Sequence, residues 1–334
     1  MARLGASNTN TNTNTNTNTN TNTALGSPGD VTGVRYNSQE FPKLLNRRQF
    51  PSQFPSELPA GATTDEKKAF VADKATVNQQ RFRKYWDAEL RASIYLNEFL
   101  TKNPSWLEEL IKLIRPKYLQ LQKEKDAQLR LVIGASDERE PRFVEIMDQN
   151  DAEGAIKYWL GMLMIDSRSA PATYQLIRVA RRIGEVVVMC LKHHFREARP
   201  SQVCPAIVPM FDPPVTPSFP AGHALSAGLI STFLKAAYRP FIQPAMIDAV
   251  AGRVAYNRTV AGLHYPLDNS AGFDAADEVF KMLTAKRKTK DGEKTKDDEM
   301  VDLCEQFTAL LKEARLESHR ERNPEYEPGT EPQA

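Results

Sequence analysis

The sequence predicts an all-α protein, a helical bundle flanked by a disordered N-terminal arm and a disordered C-terminal tail. Two observations carry this. Apolar residues recur at helical spacing along most of the chain between residues 64 and 322, and no segment alternates apolar and polar residues over the length of a strand. The composition, 41% hydrophobic and 26% charged over 334 residues, is that of a globular chain long enough to bury a core.

Residues 7–23 alternate Asn and Thr and have nothing to bury, so they are expected to be disordered. Pro28, Pro42, Pro51, Pro55 and Pro59 then make residues up to about 62 an extended arm. A folded all-α domain is expected over 63–285. Thr64 and Asp65 can cap a first helix, and its stripe runs through Phe70, Val71, Phe82, Tyr85 and Leu90. Pro104 and Ser105 open another helix through Trp106, Leu110 and Ile114. Further helices fit 151–165, 171–197, 222–238, 244–257 and 266–285. Leu129–Ile133 is the one short stretch that tempts a strand reading. The run KRKTKDGEKTKDDE (286–299) is expected to be a solvated linker to an amphipathic helix over 300–322, and 323–334 a disordered tail.

A net charge of +2 argues against a nucleic-acid partner. Cys190, Cys204 and Cys304 have no tight spacing, which fits reduced, buried thiols rather than a disulfide framework or a zinc site. The opening MARLGAS lacks the apolar stretch of a secretory leader, and no run approaches the roughly 18 apolar residues of a membrane span. A cytoplasmic location is the expectation.

Three segments carry chemistry. In PSFPAGHALSAG (217–228), a helix starting near Gly222 leaves its first N–H groups unpaired, an arrangement suited to an anion, with His223 at the rim to exchange a proton. Gly222 is expected to be glycine because a side chain there would block the approach. In KHHFREARP (192–200), Lys192 and Arg199 lie seven apart, which on one helix places both on one face. In NRTVAGLHYPLD (257–268), Arg258 precedes His264, Pro266 suits the first turn of a helix, and Asp268 lies four residues after His264. That spacing lets Asp268 take one imidazole nitrogen and leave the other nucleophilic. Two arginines, a lysine and a helix N-terminus suit a tetrahedral oxyanion such as phosphate.

The ordered set is more specific than its parts. Lys192, six residues, Arg199-Pro200, then Pro220-Ala221-Gly222-His223, then Arg258, five residues, His264, three residues, Asp268 resembles the three-part signature of the type 2 phosphatidic acid phosphatase and vanadium haloperoxidase superfamily. The resemblance implies a bundle of the acid phosphatase/vanadium haloperoxidase type, in a soluble branch. It implies that Lys192, Arg199, Arg258 and the Gly222 amide hold the oxyanion, and that Asp268 orients His264. It implies further that His264 is either the nucleophile of a phosphatase or the vanadium ligand of a haloperoxidase, and that His223 is the acid–base residue. A phosphatase would need no cofactor and would act on a small phosphorylated substrate; a haloperoxidase would need vanadate and take peroxide and halide. A homo-oligomer is compatible with either.

The chain departs from the family's pattern at Ala221 and Asn257, where serine is usual. A lost hydroxyl donor to a charged oxygen is a deficit of roughly 1.5–3 kcal/mol, so Ala221→Ser is expected to raise turnover. The long helical half before residue 170 is similar to haloperoxidase chains. Thr216, however, stands four residues before Pro220, where the family's haloperoxidases carry an aromatic residue or histidine, and this tips the reading to phosphatase. A helical scaffold without activity is the remaining alternative. His193 and His194 read as rim residues, Arg178, Arg181 and Arg182 as a solvated or salt-bridged face, and Trp86, Trp106 and Trp159 as core.

Overall fold

Prolines mark where several helices begin. Pro171, Pro200, Pro244 and Pro266 each sit in the first turn of a helix, where a missing N–H costs nothing. The computed structural model describes residues 87–238, 242–288 and 300–322. The predicted arm, the first predicted helix as far as Trp86, and the tail from residue 323 lie outside the described residues, while Leu90 of that helix falls within Ala88–Lys102. The helices are α1 (Ala88–Lys102), α2 (Trp106–Lys123), α3 (Lys125–Ala135), α4 (Arg139–Asp148), α5 (Ala152–Leu163), α6 (Pro171–Phe195), the one-turn α7 (Pro200–Val203), α8 (Gly222–Tyr238), α9 (Pro244–Val260), α10 (Pro266–Leu283) and α11 (Glu305–Arg322). The fold is all-α.

The hub is α8, which packs on α6, α9, α10 and α11. Its buried face, with Leu225, Leu229, Phe233 and Leu234, meets Leu176, Ile183 and Val187 of α6 and Phe307 of α11 in one apolar core. Small residues let α10 approach closely: a Cβ on Gly272 would lie 2.9 Å from the Ala221 carbonyl oxygen and from the Ala224 Cβ. This contact places the start of α10 against the start of α8, where two of the three motifs lie. Trp106 and Trp159 are buried, as their stripes predict.

Several expectations need correction. Leu129–Ile133 is helical, inside α3. The α2 helix runs through Pro116, whose exposure, with that of Lys112 one turn back, leaves the unpaired Lys112 carbonyl open to water. The segment 286–299 is not wholly linker, because Lys286–Lys288 pairs antiparallel with Met300–Asp302, and α11 starts only at Glu305. Arg178 takes the salt-bridged of its two expected readings, but from a buried position, 2.9 Å from Glu89 and also paired with Glu153. Cys190 and Cys204 are partly exposed, while Cys304 is buried.

Candidate active site

Lys192 and Arg199 reach one place, but not along one helix face. The α6 helix ends at Phe195, Arg196 turns the chain with φ 53°, and Arg199 is extended ahead of α7. The turn, rather than a heptad spacing, brings the two side chains together. Both are buried and both hold the loop before α8. The Lys192 ammonium donates to the carbonyls of Pro217 and Ser218 (2.9 Å to the latter). Arg199 donates through Nε to the Pro214 and Thr216 carbonyls (3.1 and 3.0 Å), through Nη1 to the Leu263 carbonyl (2.9 Å) and through Nη2 to Thr216 Oγ1 (3.2 Å). A lysine has three donors and an arginine five, so each keeps a donor beyond these.

The loop delivers the chain to the start of α8. The Ala221 N–H goes to the Asp268 carbonyl (3.0 Å), and the first helical bond runs from Leu225 N–H to the Ala221 carbonyl (3.1 Å). The N–H groups of Gly222, His223 and Ala224 therefore lie ahead of the helical ladder. A Cβ on Gly222 would meet only Val188, at 3.7 and 3.8 Å, which is ordinary contact. Protein packing does not demand this glycine. His223 is half-buried, and its Nε2 lies 3.0 Å from the Gln149 carbonyl. A carbonyl only accepts, so Nε2 carries the hydrogen and Nδ1 is left free in the neutral ring.

After α9 the chain reverses through Gly262, whose φ of +80° suits glycine, with Leu263 N–H returning to the Arg258 carbonyl (3.0 Å). His264 follows, buried, just before α10. Its Nδ1 lies 3.1 Å from Asp268 Oδ2, which also accepts the Tyr265 N–H (3.1 Å) and the Ser218 hydroxyl (2.5 Å). A carboxylate on Nδ1 sets the tautomer and leaves a lone pair on Nε2. That Nε2 lies 3.4 Å from Arg199 Nη1. Arg258, at the end of α9, is 1% exposed. Its Nη2 donates to the Ile146 carbonyl (2.9 Å), while its Nε and Nη1 are buried with no protein partner.

Electrostatics tie these groups into one site. Burial, then the charges of Lys192, Arg199 and Arg258, hold His264 well below the ordinary histidine range. Burial, then Arg258 and His264, pull His223 down to about 3. Burial lowers Arg258 to about 10 and, with Arg199 beside it, lowers Lys192. Burial pushes the Asp268 carboxyl up, against the pull of the Ser218 hydroxyl and the Lys192 charge. Three buried cations thus face one buried carboxylate. The donor set fits a tetrahedral oxyanion, phosphate or vanadate, and the partnerless Arg258 nitrogens are the sharpest sign of it.

The two departures from the serine pattern differ in kind. The Ala221 methyl is buried in an apolar cluster with Ala224, Ala255 and Phe273, so a hydroxyl there enters apolar surroundings. The Asn257 side chain accepts from Arg142 (3.2 Å) and donates to Gln149 Oε1 (2.8 Å), so it braces α4 and the residue that holds His223. Sequence reasoning missed Ser218 and Gln149, and it weighed Thr216 without seeing that it holds Arg199. Ser218 stood two residues before Pro220, inside the quoted loop, but nothing local signalled that it would meet Asp268. Gln149, at the end of α4, gave no signal at all. His193 and His194 are exposed, turned away from Lys192.

Residues 177–277 match the family model of the PAP2 superfamily. The match encloses every residue from Lys192 to Asp268 named above. No curated protein matches the chain. The match supports a phosphatase-type or haloperoxidase-type activity in general. Among the described residues, no helix is long and apolar enough to cross a membrane.

Proposed function

We propose that the protein hydrolyses phosphoric monoesters through a phosphohistidine on His264. The observation that carries the reading is His264 itself: Asp268 holds Nδ1 at 3.1 Å, and Nε2 faces the guanidinium of Arg199. Burial and cations keep the ring neutral, which a nucleophile needs. The spare donors of Lys192, Arg199 and Arg258, with the free N–H groups at the start of α8, stabilise the charge on the equatorial oxygens as the phosphoryl group transfers.

In the first step Nε2 bonds to phosphorus as the ester P–O bond breaks, and the leaving oxygen takes a proton from His223. Because Nε2 of His223 is tied to the Gln149 carbonyl, that proton rides on Nδ1. A bound phosphate dianion offsets the Arg258 charge and raises the affinity of His223 for it. In the second step water attacks phosphorus, His223 takes the water's proton, phosphate leaves, and His264 is restored. No metal is required.

The same donors fit vanadate. Lys192, Arg199, Arg258 and the Gly222 amide would hold its oxygens, with His264 Nε2 as ligand, and the bound group would supply peroxide-activating chemistry. The test is an assay of the purified protein on a generic phosphomonoester, then with vanadate, bromide and peroxide. Hydrolysis inhibited by vanadate is the expected result. Bromide oxidation without hydrolysis replaces this reading with the haloperoxidase one, and neither activity replaces it with a scaffold.

A further inference from the structure

A cavity of about 170 Å³ shares a wall with the oxyanion site. Gly222 and His223 line it on one side. The rest is apolar, chiefly Ile156, Trp159, Val188, Met189, Ile230 and Val254 from α5, α6, α8 and α9. Besides His223, its polar members are Ser226 and the Arg181–Glu185 pair, whose charges satisfy each other at 3.0 Å. A pocket built this way has few groups to engage sugar hydroxyls or the edge of a base. Its volume is enough for one aromatic ring, since an apolar cavity of about 150 Å³ admits benzene. A Cβ on Gly222 would point toward Val188, which also lines the cavity, so a larger side chain at 222 would enter this space.

We propose that this cavity holds the leaving group, and that the substrate class is a single-ring aryl phosphomonoester. The inference rests on the phosphatase reading and narrows it. Gly222 and His223 are the residues that both sites share, so an ester oxygen on phosphorus at His264 Nε2 and protonated by His223 directs its substituent to the cavity. The step balances: the P–O bond to the aryl oxygen breaks, its electrons stay on that oxygen, His223 supplies the proton, and a phenol departs. A phenol, with a pKa of about 10, leaves with little help from an acid. That suits a histidine that its surroundings keep largely unprotonated.

Calorimetric titration of the full chain with inorganic phosphate, methylphosphonate and phenylphosphonate tests this without turnover. Phenylphosphonate is expected to bind about 10- to 100-fold tighter than methylphosphonate, the surplus coming from the ring's burial. Ala155→Phe, which fills the cavity from α5, is expected to erase that surplus while phosphate still binds. Equal affinities for the two phosphonates, with phosphate bound, overturn the cavity assignment and leave the phosphatase reading standing. Failure of all three ligands to bind overturns both. Should the variant misfold, the comparison of ligands on the unmodified protein decides the matter alone.

Discussion

Replacing Arg258 by methionine separates binding from stability. The Arg258 guanidinium is buried with one hydrogen bond, to the Ile146 carbonyl, while Nε and Nη1 are partnerless. Burial lowers its pKa from the ordinary arginine range to about 10. The group is charged in both folded and unfolded chains at neutral pH, so the depression measures a cost of holding the charge, about 3 kcal/mol at about 1.4 kcal/mol per pKa unit. Methionine removes that cost and fills much of the volume. It also strands the Ile146 carbonyl, which costs about 1–3 kcal/mol. The net change expected in the anion-free protein runs from nothing to a gain of about 2 kcal/mol. Added phosphate should stabilise the wild type by the mass-action term and leave Arg258→Met nearly unmoved. Urea melts with and without phosphate read both quantities. A variant destabilised by more than about 3 kcal/mol, or one that phosphate stabilises as well as the wild type, refutes the assignment of Arg258 to the anion.

Between its folded pKa of about 3 and the ordinary 6.5, His223 binds fewer protons folded than unfolded, so its contribution to stability is full above pH 6.5 and is lost as pH falls. The slope of stability against pH in His223→Gln should be lower than in the wild type by about 1.4 kcal/mol per unit between pH 6 and 4, as read by urea melts at several pH values. Ala221→Ser should lower stability by about 1–3 kcal/mol and leave phosphate affinity unchanged, because the hydroxyl enters the cluster of Ala224, Ala255 and Phe273. Higher affinity by calorimetry would show that the hydroxyl reaches the anion. Asn257→Ala frees Gln149 and Arg142, and should cost about 1–3 kcal/mol and slow turnover of esters with poor leaving groups more than of those with good ones. An equal effect on both classes would make Asn257 merely structural.

What the sequence disclosed, and what it hid, follows from the range of the interactions. Helix starts at Pro171, Pro244 and Pro266 are written locally, and so is the His264–Asp268 pair, because the responsible residues lie within one turn. Lys192 and Arg199 do not share a helix face as their spacing of seven suggests, because Arg196 turns the chain between them. The loop pairing of Ser218 with Asp268 spans 50 residues, and the hold of Gln149 on His223 spans 74; neither has a local signature. Ala221 read as a lost donor because a motif compares residue types, whereas the apolar surroundings that receive its methyl come from α8, α9 and α10.

The central claim is that His264 Nε2 attacks phosphorus. Rapid mixing with a labelled phosphomonoester, quenching in alkali and peptide mapping would locate any covalent phosphate. The account predicts an acid-labile phosphate on His264, absent from His264→Ala together with turnover and still formed by His223→Ala from esters with good leaving groups. Full hydrolysis by His264→Ala, or a covalent phosphate mapped to another residue, would contradict it.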